Sequence, residues 1–525
     1  MNVTATKSGN QKRSAEMDDR ERGLAFLFAI TLPPVMVWFL VAKFTYGIDP
    51  STAKYLIPYL VKNTFSLWPL WSALIAGWFI GVGGLIAFII YDKSRVFKGE
   101  RFKKIYRGTE LVRARTLADK TRERGVNQLT VANIPIPTYA ENLHFSIAGT
   151  TGTGKTTIFN ELLFKSIIRG GKNIALDPNG GFLKNFYRPG DVILNAYDKR
   201  TEGWVFFNEI RRSYDYERLV NSIVQESPDM ATEEWFGYGR LIFSEVSKKL
   251  HSLYSTVTME EVIHWACNVD QKKLKEFLMG TPAEAIFSGS EKAVGSARFV
   301  LSKNLAPHLK MPEGNFSLRD WLDDGKPGTL FITWQEEMKR SLNPLISCWL
   351  DSIFSIVLGM GEKESRINVF IDELESLQFL PNLNDALTKG RKSGLCVYAG
   401  YQTYSQLVKV YGRDMAQTIL ANMRSNIVLG GSRLGDETLD QMSRSLGEIE
   451  GEVERKESDP QKPWIVRKRR DVKVVRAVTP TEISMLPNLT GYLALPGDMP
   501  VAKFKAKHVK YHRKNPVPGI ELREI

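Results

Sequence analysis

Apolar and polar positions divide the chain into stretches with different rhythms. Near the start, Gly23–Ala42 carries no charge, and neither does Asn63–Tyr91. The first matches the ~20 residues a helix needs to cross the hydrocarbon layer, and the second is longer. From Leu129 short apolar runs take over, at His144–Ala148, Ile174–Leu176, Val192–Leu194, Thr329–Thr333, Val369–Ile371, Leu395–Ala399, Asn426–Leu429 and Tyr492–Leu495. Runs this short read as buried strands, and amphipathic stretches between several of them predict an α/β fold with a mostly parallel sheet. Between about Tyr214 and Pro312 the pattern turns helical, over Tyr216–Gln225, Thr232–Leu253, Met259–Cys267, Leu274–Gly280 and Ser290–Leu309. That predicts a helical insertion of about a hundred residues inside the sheet domain. The densely charged Glu448–Arg470 reads as an exposed loop or hairpin.

The two uncharged stretches predict a membrane anchor. Pro33-Pro34 would kink the first, which membrane helices tolerate, and Trp68, Trp71, Trp78 and Tyr91 suit headgroup depth. A leader with Lys7, Lys12, Arg13, Arg20 and Arg22 precedes the spans, and Lys93, Arg95, Lys98, Arg101, Lys103, Lys104 and Arg107 follow them. Only Lys43, Lys54 and Lys62 lie between, so both ends belong in the cytoplasm, joined by a loop of about 20 residues on the far side. Four acidic residues in the leader disfavour a cleaved signal peptide. The Gly77, Gly81, Gly83, Gly84 cluster either permits close helix packing or is incidental. Residues 93–128 hold twelve Lys/Arg against four Asp/Glu, which fits anchoring at anionic lipid better than a DNA-contacting collar.

Composition narrows the picture modestly. The 525 residues leave room for two or three domains, and a formal charge of +13 is compatible with a phosphate-rich partner or an anionic membrane face. Cys267, Cys348 and Cys396 are far apart and lack metal-ligand spacing, so a disulfide framework is excluded; Cys396, in an apolar run, reads as a buried free thiol. The six His residues form no ligand cluster, so Mg²⁺ with a nucleotide is the only metal indicated.

The chemistry is carried by Gly149-Thr150-Thr151-Gly152-Thr153-Gly154-Lys155-Thr156-Thr157, set between an apolar strand and a helical pattern. It fits G-x-x-x-x-G-K-[ST], in which glycines let backbone N–H groups turn inward onto phosphate oxygens at a helix N-terminus. Lys155 would reach the β- and γ-phosphates of ATP, and the Thr156 hydroxyl would coordinate Mg²⁺. Val369-Phe-Ile-Asp372-Glu373 has the Walker B form: Asp372 would hold Mg²⁺ through water, and Glu373 stands where a general base can act on the attacking water. Gln402, at the end of the next strand, either senses the γ-phosphate or caps the following helix. Arg391 is expected at the end of a helix on the nucleotide side of the sheet, to act in a neighbour's site if the chain forms a ring and as a surface residue if it does not.

The string Asp372-Glu373-Leu-Glu-Ser-Leu…Asp385-Ala-Leu-Thr-Lys-Gly-Arg391-Lys-Ser-Gly…Ala399-Gly-Tyr-Gln402…Ser405-Gln-Leu…Tyr411-Gly412 resembles the type IV coupling proteins of bacterial conjugation, the TraD/TrwB group. Asp177-Pro-Asn-Gly-Gly-Phe182, Asn195 and Leu486-Pro-Asn-Leu-Thr-Gly-Tyr492…Leu495-Pro-Gly extend the likeness from the two spans to the last strand. The resemblance implies a RecA-like P-loop ATPase domain at 129–213 and 313–525 and an all-α domain at 214–312. Before these would come a cytoplasmic leader at 1–22, a two-helix anchor at 23–92 in the bacterial inner membrane, and the basic segment 93–128. It further implies a hexamer with Arg391 acting in trans and Gln402 as sensor. The partners would be single-stranded plasmid DNA, a relaxase and a type IV secretion channel. Basic residues at 503–514, with no long tail beyond, place the chain nearer the TrwB branch. A double-stranded DNA translocase of the FtsK type, a coupling protein for protein effectors only and a nucleotide-gated docking platform are the competing readings. Arg413, Arg424, Arg433 and Arg444 are candidate DNA contacts by charge alone.

Overall fold

The computed structural model describes residues 19–93, 102, 104–227, 230–288, 291–377, 379–432, 436–458, 466–511 and 517–523. Most of the leader, part of the basic segment, Arg433, and Arg513 and Lys514 of the basic tail lie outside them. Its strands are β1 (Lys104–Gly108), β2 (Leu111–Arg113), β3 (Thr130–Val131), β4 (Ile134–Pro135), β5 (Phe145–Ala148), β6 (Lys172–Pro178), β7 (Val192–Leu194) and β8 (Gly328–Trp334). They continue as β9 (Ile367–Ile371), β10 (Leu395–Tyr401), β11 (Ser425–Val428), β12 (Glu448–Ser458), β13 (Val466–Arg476), β14 (Thr490–Ala494) and β15 (Val501–Lys505). Two units form, one from the residues up to Arg107 with Glu450–Val474, the other from Gly108–Ile449 with Val475–Ile525.

In the first unit, helices Asp19–Tyr46 and Trp68–Lys93 pack along each other. The helix runs on through Pro33 and Pro34. A Cβ on Gly77 would lie 2.5 Å from Pro34 Cα, whereas Gly83 and Gly84 face open space, so Gly77 serves the packing and those two do not. The stretch between these two helices is itself helical over Ala53–Lys62, where the sequence predicted a plain loop. It folds because Leu56, Ile57 and Leu60 share one side and close over Trp38, Ala42 and Leu70, while Trp38 Nε1 donates to Thr64 Oγ1 (3.2 Å). Leu32, Val35, Met36, Phe39, Phe79 and Ile80 stay exposed. The charged segment near 448–470 is indeed a hairpin, β12–β13, extended by β1 into a three-stranded sheet.

The second unit is built on a ten-stranded sheet ordered β2-β15-β14-β11-β5-β10-β9-β6-β8-β7, in which only β14 runs against the rest. Successive residues point to opposite faces. Phe145, Phe370 and Tyr398 stack on one face with Ile158, Phe159 and Leu162 of helix Lys155–Ile168. Val369, Ile371, Val397 and Ala399 turn to the other, against helix Lys339–Leu358. That helix is long and apolar enough to span a membrane, but it is mostly buried and is the core element under the sheet. From Tyr214 to Lys310 every described regular element is helical, and Phe243, Val246 and Leu301 join the same core.

Candidate active site

Strands β11, β5, β10, β9, β6, β8 and β7 all end on one edge of the sheet. Open parallel sheets bind ligands outside these carboxyl ends. The loop leaving β5 is tied to both neighbours: Gly149 N–H donates to Tyr401 O (3.2 Å) and Thr150 N–H to Gly430 O (3.1 Å). Gly152 and Gly154 have φ of 81° and 114°. At Gly154 the positive φ favours glycine, and a Cβ there would also press on the Leu489 side chain at 2.8 Å. Leu489 N–H donates to Thr153 O (2.9 Å), so the Leu486–Leu489 segment braces the loop from outside, a role the sequence did not disclose. Helix Lys155–Ile168 starts at the loop, with Thr157 N–H donating to Gly154 O (3.1 Å), and its N-terminal dipole favours anions at that point.

The side chains predicted to act there do meet. Lys155 is buried and its Nζ donates to Gly149 O (2.6 Å); burial lowers its pKa, opposed by Asp372, Glu375 and Glu373. Thr156 Oγ1 donates to Asp372 Oδ2 (3.0 Å). Asp372 Oδ1 is buried without a hydrogen-bond partner, and burial raises the pKa of the group. A hydroxyl beside an unsatisfied carboxylate oxygen is a hard oxygen donor set, which fits Mg²⁺. Gln402 Nε2 donates to Glu373 Oε1 (2.6 Å), while its Oε1 accepts from Thr151 Oγ1 (3.1 Å). It therefore links the phosphate loop to the acidic strand end. The capping position of helix Tyr404–Tyr411 belongs to Thr403, which removes the capping alternative for Gln402.

Two acidic groups at this edge were quoted in the sequence motifs but given no role there. Glu375 Oε1 accepts the Gln402 N–H (2.5 Å), its Oε2 is buried without a partner, and burial pushes its pKa to about 7. Asp177, fully buried, accepts from Phe182 N–H (2.9 Å) and Leu183 N–H (2.6 Å), and burial, reinforced by Asp372, raises it to about 7. Asn195 has a bracing role: its Nδ2 donates to Thr333 Oγ1 (3.2 Å) and its Oδ1 accepts from Tyr197 N–H (3.0 Å).

Arg391 is placed differently from expectation. It precedes β10, whereas Gln402 follows it, so a seven-residue strand, roughly 23 Å long, separates Arg391 from the phosphate edge. The arginine is exposed at the opposite end and cannot serve the site of its own chain. Of the basic residues considered as DNA contacts, Arg413 pairs with Glu437 (3.0 Å) and Arg444 with Asp440 (2.7 Å).

Residues 128–507 match the family model for the type IV secretion-system coupling protein DNA-binding domain. The chain belongs to the type IV coupling protein family. Coupling protein TraD of Escherichia coli (strain K12) is 28% identical over 484 residues, covering 86% of this chain and 65% of TraD. The chain thus spans about two thirds of that relative's length. Crystal forms of the conjugative coupling protein TrwB are closer. Unbound TrwBdeltaN70 superposes with a TM-score of 0.76 at 44% identity, over 81% of this chain and 98% of that one. TrwB with ADP and Mg²⁺ gives 0.74 at 44%, over 81% and 99%. TrwB with the ATP analogue ADPNP gives 0.74 at 44%, over 82% and 100%. The coupling-protein fold is therefore that of a P-loop nucleotide-binding α/β protein.

Proposed function

We propose that this chain is a membrane-anchored, DNA-dependent ATPase that links a relaxase-bound plasmid strand to a type IV secretion channel and drives single-stranded DNA toward it. The observation that carries the proposal is the single edge where the phosphate loop, the Thr156–Asp372 pair and the Glu373–Gln402–Thr151 chain converge. Family membership and the nucleotide complexes of TrwB support it.

In this reading the Gly149–Thr156 amides cradle the phosphates of ATP, and Lys155 exchanges the Gly149 carbonyl for β- and γ-phosphate oxygens. Thr156 and, through water, Asp372 hold Mg²⁺, which when bound neutralises charge on those phosphates. Glu373 takes a proton from water as the water oxygen bonds to the γ-phosphorus and the bond to the ADP oxygen breaks. Gln402, already bonded to Glu373, orients that water. Arg391 completes a neighbour's site, which requires a ring; a hexamer is the family's arrangement. Residues 23–92 anchor the chain in the inner membrane, with 1–22 and the segments from 93 onward on the cytoplasmic side. The ATPase domain is 129–213 with 313–525, and 214–312 forms the all-α domain. Lys155→Ala in the full-length chain should reduce ATP turnover to background while leaving membrane insertion unchanged. Turnover retained by that variant would contradict the proposal.

A further inference from the structure

At the end of the sheet away from the phosphate loop, β5 starts from His144, whose φ is 59° and whose ring is fully buried. Nδ1 accepts the Val397 N–H of β10 (3.1 Å), and Nε2 lies 2.9 Å from Leu387 O. A carbonyl only accepts, so Nε2 carries the proton and the imidazole is neutral; burial lowers its pKa to about 4. Leu387 lies in the last turn of helix Leu383–Lys389, where carbonyls lack partners within the helix. The helix runs directly into the turn Gly390–Ser393, which carries Arg391. The far side of that turn is held by Lys363 N–H on Lys392 O (3.1 Å) and Ser393 Oγ on Met360 O (3.0 Å). The Arg391 side chain is exposed, and no described residue shares a hydrogen bond or ion pair with it.

We infer that His144 is a positioning residue for Arg391, holding the arginine-bearing turn by its bond to Leu387 and tying it through β5 to the phosphate loop of the same chain. The position calls for a rigid group that accepts from one strand's N–H and donates to a helix-end carbonyl. A neutral, buried imidazole meets both demands. Only the four residues of β5, roughly 13 Å of extended chain, separate His144 from Gly149. A change in the loop on nucleotide binding thus has a short, packed path to the arginine offered to the next subunit. The inference rests on the reading of Arg391 as acting in a neighbour's site.

Two substitutions in the full-length protein separate the bonds. His144→Asn keeps an acceptor near Val397, tolerates positive φ and cannot reach Leu387. His144→Gln keeps a donor long enough for Leu387. For H144N we expect kcat to fall about tenfold, the worth of one buried hydrogen bond expressed in the transition state, with nucleotide KM unchanged. H144Q should recover most of the loss. In mixed oligomers, K155A subunits, dead in their own site but with an intact Arg391, should restore turnover to H144N subunits as they do to R391A subunits. If R391A is not rescued, the trans reading of Arg391 is wrong. If R391A is rescued and H144N is not, or if H144N weakens nucleotide binding in its own site, the role of His144 is overturned. H144Q keeps the question decidable should H144N fail to fold. A folded H144Q protein with normal KM but lost turnover, unrescued by K155A subunits, contradicts the inference equally.

Discussion

Glu375 lies two residues beyond Glu373, and nothing in its spacing sets it apart from a surface acid. It becomes visible only when the turn after β9 brings it under the Gln402 backbone, with one oxygen bonded and the other buried alone. Its carboxyl is displaced upward from 4.5 to about 7 because burial penalises the charge. A carboxyl raised on folding stabilises the protein fully below its unfolded pKa and loses that contribution as pH rises through the folded value. Glu375→Gln should therefore leave thermal stability nearly unchanged at pH 4.5 and raise it at pH 8, by about 1 kcal/mol after solvent screening. Thermal melts of both proteins across that range check this; an equal offset at both ends would contradict it. Lys155, Thr156, Asp372, Glu373 and Gln402 were legible from motif order, because the chemistry dictates both residue type and position relative to a strand. For Arg391 the expected side of the sheet was wrong. A residue before a parallel strand sits at the opposite edge from the residue after it, and β10 obeys that rule.

Central strands were the easiest elements to read. β5, β6, β8, β9 and β10 are buried along their length, so each carries a short, mostly apolar run, such as Ile174–Leu176 in β6 and Val369–Ile371 in β9. β2 and β15 lie toward one side of the sheet and carry Arg113, Lys503 and Lys505, which hid them; only their pairing reveals them. In the helix pair of the first unit, glycine gave an ambiguous sign. The helix passes through Pro33-Pro34, and Gly77 lets the facing helix approach them closely. Gly77→Ala should force the two helices apart and cost about 1–3 kcal/mol, whereas Gly84→Ala, which faces open space, should be neutral. Unfolding of the detergent-solubilised full-length chain distinguishes the two; equal effects would remove Gly77 from the packing.

At the scale of the molecule, the formal charge of +13 suits a phosphate-rich cargo, and a single chain cannot bring Arg391 to its own nucleotide. Under the proposed function, both facts fit a ring threaded by DNA. The basic contacts expected are sequence-tolerant and act by releasing counterions, so binding must weaken steeply with salt. The most direct measurement is ATP turnover by the full-length chain, with and without single-stranded DNA, over a salt series. The account predicts strong stimulation by DNA that collapses as salt rises and is absent from Lys155→Ala. Turnover indifferent to DNA at every salt concentration, or raised only by a protein partner, would contradict it.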